Sequence, residues 1–271
     1  FKLQSEITPL YGSASLKLNN FDINSFVSSD MNAILKLDNF NLIVPKINKP
    51  LMIHKVDINL TTNDLISNIS ASIGDAQILA SFKKVFIADM SSSLQITSTP
   101  KLSDFKSYLD EYLIYSGDGN IPIALEVIFP PKATPVYRLK ADISNLSLKI
   151  PSLGFSKNRF DSGELGVGWT QNTPLNVQFS SNGYQVSALT YLKDNKITRV
   201  DFKNIKLGQY FIGQGSYQVR DSEDILTLQD SVFHYFNTPK YKTSKFKKPL
   251  KIIVGFKKLH ISPEVSLDNF E

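Results

Sequence analysis

The stretch Tyr-Arg-Leu-Lys-Ala-Asp-Ile-Ser-Asn-Leu-Ser-Leu-Lys-Ile-Pro, residues 137–151, reads as a β-strand in two halves. Apolar residues alternate in each half, on opposite parity: Leu139, Ala141 and Ile143, then Leu146, Leu148 and Ile150. Because side chains on a strand change face with period two, the switch needs one extra residue at Ser144-Asn145. We predict a β-bulge or kink there, since asparagine tolerates the left-handed backbone that such sites often require.

The same pattern recurs elsewhere in the chain. The string Leu35-Lys-Leu-Asp-Asn-Phe-Asn-Leu42 nearly repeats Leu16-Lys-Leu-Asn-Asn-Phe-Asp-Ile23, and further copies begin at Val200, Val254 and Val265. Their uneven spacing excludes a solenoid of fixed period. One kind of strand used repeatedly in a long sheet explains the copies, although chance alternation in a β-rich chain would also produce such strings. We predict that the break recurs at Asn39, Asn145 and Asn204.

The composition is that of a folded protein. Of the 271 residues, 42% are hydrophobic and 20% are charged, which argues against disorder. The lack of cysteine excludes disulfides and thiolate metal sites. No apolar run approaches the ~20 residues of a membrane-spanning helix. Because the sequence starts at Phe1 without methionine and ends inside a motif copy, we expect it to be part of a longer protein.

Nearly all of the chain has the alternation of β-strands, and we expect roughly sixteen to eighteen of them. The fold class is therefore all-β, with a mostly antiparallel sheet. We treat residues 1–271 as one continuous segment, with a first strand group at 1–99, a helical insertion at 100–117 and a second strand group at 118–271.

One amphipathic helix is predicted at about residues 101–115. Thr99 is suited to cap it, Pro100 to occupy its first position, and Gly117 to end it. Its apolar residues fall on one stripe: Leu102, Phe105, Leu109, Tyr112 and Leu113. The helix either covers exposed apolar surface as a connector or acts as a moving lid.

Catalytic and cofactor motifs are lacking in the sequence. The three histidines are not at metal-ligand spacing, and there is no nucleophile elbow, phosphate-binding loop or dinucleotide fingerprint. Glycine pairs such as Gly166-Val-Gly168 lie in strand patterns, where bulges or close packing explain them. We therefore expect no enzyme activity, no cofactor and no metal.

A lysine-rich segment near the end of the chain has three interpretations. Its lysines contact anionic lipid headgroups, or nucleic-acid phosphates, or only solvent beside an edge strand that they protect from aggregation. No nucleic-acid fold signature accompanies them, so we predict no nucleic-acid partner. The headgroup contacts that we predict are Lys245, Lys247 and Lys248.

Residues 117–157 resemble a known protein family. Gly119-Asn-Ile-Pro122 leads into a strand that ends at Phe129-Pro130, and the quoted stretch, Leu153-Gly154 and Lys157 follow. This order resembles the AsmA-like proteins, most closely the YhdP group, and the similarity extends over about residues 99–220. The chain departs from the family pattern where Asn145 replaces a common glycine and where Phe155-Ser156 separates Gly154 from Lys157.

The resemblance implies a bridge-like lipid transfer protein of the Gram-negative envelope. Such proteins are periplasmic and anchored to the inner membrane, and they form a long, strongly twisted sheet that curls into an open apolar groove. The implied partners are phospholipids, together with the inner and outer membranes through segments outside this sequence. A β-sheet with one apolar face and a single helix would leave that face for acyl chains.

Two alternative functions remain open at this point. The strands could form a structural or adhesive β-sandwich, or the protein could be an outer-membrane assembly factor that binds strands at a sheet edge. For the lipid hypothesis, the predicted groove-lining residues are Leu125, Val127, Phe129, Leu139, Ala141, Ile143, Val167 and Trp169.

Overall fold

A computed structural model describes residues 11–22, 27–42, 50–87, 89–106, 115–150, 155–194, 196–234 and 249–270. Nineteen strands run through these residues. In chain order they are β1 (Tyr11–Asp22), β2 (Val27–Leu42), β3 (Leu51–Thr61), β4 (Asp64–Ile73), β5 (Ala76–Val85), β6 (Ser92–Ser98), β7 (Ser116–Asp118), β8 (Ile123–Phe129), β9 (Val136–Asp142), β10 (Ser147–Ile150), β11 (Phe155–Lys157), β12 (Gly163–Thr170), β13 (Leu175–Ser181), β14 (Tyr184–Lys193), β15 (Lys196–Leu207), β16 (Phe211–Gln218), β17 (Asp224–His234), β18 (Leu250–His260) and β19 (Ser266–Phe270).

Sixteen of the strands form one sheet in the order β1-β2-β3-β4-β5-β6-β8-β9-β12-β13-β14-β15-β16-β17-β18-β19. The order follows the chain. β17 and β18 pair in parallel, whereas the pairs on either side of them, β16–β17 and β18–β19, are antiparallel. β7, β10 and β11 form a second, three-stranded sheet. This confirms the all-β class and the long, mostly antiparallel sheet.

The chain divides into two compact units, and the division differs from the predicted strand groups. The first unit contains residues 1–100 and 122–139, and the second contains residues 101–121 and 140–271. The reason lies in strand pairing. β8 pairs with β6, although it follows the insertion, whereas β7 within the insertion pairs with β10.

The described part of the predicted helix is a single 3-10 turn, Leu102–Phe105. It begins later than the predicted cap at Thr99, because the Lys101 backbone N–H donates to the Asp104 carboxylate at 2.9 Å. Leu102 is buried. Residues 107–114, which would form the rest of the helix, lie outside the described residues.

The predicted break at Asn39 is confirmed. Asn39 has a left-handed backbone, with φ of 53°, and the ladder between β2 and β3 passes from Asp38 to Phe40 without it. The register between β3 and β4 shifts at the same level, after Ile53. The extra residue keeps the apolar residues on both sides of the break on one face of the sheet: Leu35, Leu37, Phe40 and Leu42.

The predicted break in the copy at Asn204 is confirmed as an inserted residue. On β14, Ser187 pairs with Asn204 and Ala188 pairs with Phe202, so the residue of β15 without a partner in this ladder is Lys203. The ladder from β15 to β16 shifts register between Phe202 and Ile205. Similar shifts occur in the β16–β17 and β17–β18 pairs, where Asp230 has φ of 50°. Register shifts therefore occur in four adjacent strand pairs of the second unit, from β14–β15 to β17–β18.

At Asn145 the break is larger than a bulge. β9 ends at Asp142 in the long sheet, a turn follows, and β10 begins at Ser147 in the small sheet. The stretch 137–150 is therefore two strands in two sheets. Gly119 lies against this turn with φ of +127°, and a Cβ there would be 2.4 Å from the Asn145 backbone oxygen, so only glycine fits.

The turn after β9 is held by a buried lysine. The Lys157 side chain is 0% exposed, and its ammonium donates to the backbone oxygens of Ser144, Leu146 and Asn158 at 3.0, 3.1 and 2.9 Å. Burial lowers the pKa of Lys157, and the charges of Asp161 and Asp142 oppose this effect. We call this turn and the residues packed on it the junction; its buried apolar members are Leu102, Ile121, Ile143, Leu146 and Phe155.

Candidate functional site

One face of the sheet in the first unit is apolar, and we call it the apolar face. β5 shows the arrangement: Ile78, Ala80 and Phe82 are half-buried, whereas Leu79 on the opposite face is 57% exposed. Register carries this face from β2 to β8. Its best-buried members are Ile53, Val56, Ala71 and Val127.

The second unit has an apolar face of its own, from β12 to β18. Cross-strand pairs such as Val177 with Ala188 and Val186 with Ile205 place apolar residues opposite each other. Three aromatic side chains continue this face in a row: Phe211, Phe233 and Phe256. The ring centroids of Phe211 and Phe233 are 6.5 Å apart, and those of Phe233 and Phe256 are 5.9 Å apart. The inserted residue in β15 keeps its apolar residues on this face: Val200, Phe202 and Ile205.

The side chains of both apolar faces remain partly accessible to solvent. Leu37 and Ile78 in the first unit are half-buried, and so are Val177 and Val186 in the second. A ligand that covers such side chains would remove further apolar surface from water. The adhesive alternative needs two sheets packed face to face, and it stays a prediction.

The structure assigns clear positions to the predicted groove-lining residues. Leu125, Val127 and Phe129 lie on the apolar face of the first unit. Leu139 and Ala141 have the same parity on β9 and therefore share one face of the strand. Arg138 lies on the opposite, polar face, where its guanidinium forms an ion pair with Glu126 at 3.3 Å. In the second unit, Val167 pairs with Val177 on the apolar face, and Trp169 follows on the same parity of β12.

Ile143 is the exception among the predicted groove-lining residues. It lies beyond the end of β9, its backbone N–H donates to the Gly163 oxygen at 2.9 Å, and it is buried. A Cβ on Gly163 would lie 2.6 Å from Ile143 Cγ1. Ile143 is therefore a junction residue, because the chain leaves the long sheet before the alternation reaches it.

The predicted headgroup contacts Lys245, Lys247 and Lys248 lie outside the described residues. Of the neighbouring basic residues, Lys251 and Lys257 are exposed on β18. The headgroup prediction for the three lysines stays a prediction.

The opposite face is polar and carries shallow depressions. One of about 660 Å³ lies beside the junction, and its lining includes Lys140, Asp142, Glu164 and Gln185. Hydrogen bonding from the Ser144 side chain and from its backbone N–H, which donates to the Asp142 carboxylate at 2.8 Å, lowers the pKa of Asp142. Because these side chains are hydrophilic, the depression does not extend the apolar face.

A polar pair that the sequence analysis missed interrupts the apolar face of the second unit. The Tyr217 hydroxyl donates to Asp224 Oδ2 at 2.6 Å. Tyr217 pairs with Leu226 across β16 and β17, and Asp224 has the same parity as Leu226. The sequence signal that could have predicted this pair is Asp224 itself, an acidic residue at a position of β17 where the alternation calls for an apolar one.

The histidines do not form a metal centre in the described part of the chain. His54 Nε2 is 2.9 Å from the Ser72 hydroxyl, and His234 and His260 stack with ring centroids 4.4 Å apart. The described residues contain no group of three or more potential metal ligands. No helix in them is long and apolar enough to cross a membrane.

Comparisons with protein-family models, with curated proteins and with solved structures found no match to this chain.

Proposed function

We propose that this protein binds lipid acyl chains along its apolar faces and transfers lipids without enzymatic chemistry. The observation that carries the proposal is that each unit has an apolar sheet face, many of whose side chains are only half-buried. Burial of an acyl chain contributes ~0.8 kcal/mol per CH₂ group. A chain of ordinary length would therefore be held without a specific binding pocket.

The surface chemistry favours sliding of the chains over fixation. In the first unit the apolar face consists mostly of aliphatic and small side chains such as Leu37, Ile58, Ile69 and Ile78, together with the edge-to-face pair Phe82 and Phe129. Such a face offers similar contacts at successive positions along the sheet, because dispersion contacts are weak and non-directional. Lipids bound there would exchange places at low cost.

The wider setting in this proposal comes from the AsmA-like resemblance. The ligands are phospholipids, the membranes served are the inner and outer membranes of a Gram-negative envelope, and the location is the periplasm. An apolar groove, open along one side, would keep acyl chains out of water while their headgroups remain solvated.

Photo-crosslinking on one strand tests the proposal. The photoreactive residue benzoylphenylalanine replaces Leu125 or Val127 on the apolar face of β8, and Ala124 or Glu126 on its polar face. Purified protein is irradiated with phospholipid vesicles, and lipid adducts are detected by mass spectrometry. We expect adducts at positions 125 and 127 only. Equal labelling on both faces, or no adducts at any of the four positions, would refute lipid binding by this face.

Transfer is tested with a charge placed on the same strand. Leu125→Asp puts a carboxylate on the apolar face, where contact with hydrocarbon costs about 2–3 kcal/mol. We expect fluorescent phospholipid transfer between vesicles to fall at least about tenfold. Ala124→Asp, on the polar face, is the matched control and should leave the rate unchanged. A loss of the same size in both variants would instead indicate a general effect on the fold.

A further inference from the structure

Asp224 is an acidic residue on the apolar face of the second unit. It begins β17, two residues before Leu226, and its cross-strand partner on β18 is Leu250. The next residues of the same parity, Leu226 and Leu228, are apolar. Asp224 is therefore the first residue of β17, at the edge of the apolar face.

The two oxygens of this carboxylate have different surroundings. Oδ2 accepts the hydroxyl hydrogen of Tyr217 at 2.6 Å. Oδ1 is buried and has no hydrogen-bond partner. Burial, together with the hydrogen bond to Asp224 and its charge, raises the pKa of Tyr217 to about 12. The phenol therefore stays protonated at neutral pH and remains a donor.

Charge balance at the site is also incomplete. None of the ion pairs between described residues includes Asp224. The polar-face carboxylates nearby differ: Asp201 pairs with Arg199 at 2.6 Å, and Asp230 accepts from the Gln214 amide at 2.6 Å. A buried carboxylate oxygen without a donor is unfavourable, and native structures normally supply one.

The Asp224 side chain lies on the apolar side of β17, since it shares its parity with Leu226 and Leu228. A ligand that fits has an apolar chain for these leucines and, at its polar end, a donor for Oδ1. A positively charged donor is favoured over a neutral one, because no described residue gives this carboxylate a cation and charge-assisted hydrogen bonds are the stronger ones.

We propose that Asp224 and Tyr217 form a headgroup site that selects amphiphiles with a primary ammonium group. The acyl chain would lie against the apolar face of the second unit, and the half-buried Asp224 side chain would turn so that Oδ1 accepts from the ammonium. This inference rests on the proposed lipid-binding function and adds headgroup selectivity to it.

Competition between two phospholipids tests the site. The purified chain is incubated with vesicles of equal parts phosphatidylethanolamine and phosphatidylglycerol, and the bound lipid is extracted and quantified by mass spectrometry. We expect wild-type protein to enrich the ethanolamine lipid by about tenfold, the effect of one charge-assisted hydrogen bond. Asp224→Asn should bring the ratio close to one while total bound lipid stays the same.

Asp201→Asn, on the polar face of β15, is the matched control and should keep the wild-type ratio. Tyr217→Phe should retain enrichment, because it removes a donor to Oδ2 and leaves the carboxylate charged. An equal ratio for wild-type protein, or unchanged enrichment in Asp224→Asn, would overturn the headgroup site. The absence of any bound lipid in wild-type protein would instead refute the proposed function.

Soluble ethanolamine distinguishes a lipid site from a site for free amines. At millimolar concentration it should not displace the bound phospholipid, because it lacks the apolar chain. Displacement that is lost in Asp224→Asn would overturn the assignment to amphiphiles and indicate a small-amine site.

Discussion

The apolar faces of the two units follow one sequence rule but offer different surfaces. In the first unit the face is built around Ile53, Val56 and Ala71, with neighbours that are aliphatic apart from Phe40, and Phe82 and Phe129 form an aromatic pair on it. In the second it carries the aromatic row of Phe211, Phe233 and Phe256 and the Tyr217–Asp224 pair. The first face is suited to non-specific contact with chains, whereas the second adds groups able to distinguish one ligand from another.

The two units also differ in the contacts that stabilise their folds. The first has a buried aliphatic cluster within the sheet. The second has the junction, where one buried ammonium satisfies three backbone oxygens. Apolar burial is non-directional, but a buried ammonium requires its acceptors in fixed positions. Substitutions in the two units should therefore have different consequences.

The largest effect is expected at the junction. Lys157→Met keeps the length of the side chain but removes the donor to three backbone oxygens, and we expect the free energy of unfolding to fall by about 3–5 kcal/mol. Denaturant unfolding followed by fluorescence of Trp169, the single tryptophan and a residue of the second unit, measures this loss. Lys149→Met, at an exposed position of β10, is the control. A loss below about 1 kcal/mol for Lys157→Met would contradict the role assigned to the ammonium.

A smaller loss is expected in the aliphatic cluster of the first unit. Ile53→Ala removes buried methyl groups, and we expect a loss of about 2–3 kcal/mol. Leu79→Ala, on the exposed polar face of β5, should change stability by no more than about 0.5 kcal/mol. Thermal and denaturant unfolding monitored by circular dichroism compares the two. Equal losses would mean that the apolar face is no better buried than the polar one.

The backbone breaks give a further contrast between the units. Asn39→Ala forces alanine into a left-handed conformation and should cost about 1 kcal/mol, whereas Asn39→Gly should be nearly neutral. Asn204 is not among the residues with positive φ, so Asn204→Ala should have little effect. Unfolding free energies for the three variants test this. A cost at Asn204 equal to that at Asn39 would show that the asparagine side chain, and not its backbone angle, supports both breaks.

The smallest effect concerns alkaline pH in the second unit. The pKa of Tyr217 is raised to about 12 in the folded chain, above its unfolded value of about 10. The folded state therefore binds the proton more tightly, and the resulting stability is complete below pH ~10 and lost as pH rises toward 12. We expect wild-type protein to lose about 1 kcal/mol relative to Tyr217→Phe across this range, after allowance for solvent screening. Parallel pH-dependent stability curves for the two proteins would contradict the Tyr217–Asp224 bond.

Much of the architecture could be predicted from local pattern alone. Alternation with period two identifies strands and their apolar side in any context, and a parity change requires an extra residue. This is why the all-β class, the long sheet and the breaks at Asn39 and Asn204 were predictable. The groove-lining residues on β8, Leu125, Val127 and Phe129, were found on one face for the same reason.

Other features depended on contacts between residues distant in sequence. The alternation around Asn145 resembled that around Asn39, but contacts of Lys157, Gly119 and Gly163 hold the chain in a turn there. The chain therefore leaves the long sheet before it reaches Ile143. The parallel pairing of β17 with β18 likewise has no local signature. The Tyr217–Asp224 pair needed the register of two strands. Local pattern determines which side of a strand is apolar, whereas strand partners and buried polar contacts are decided only when the whole sheet assembles.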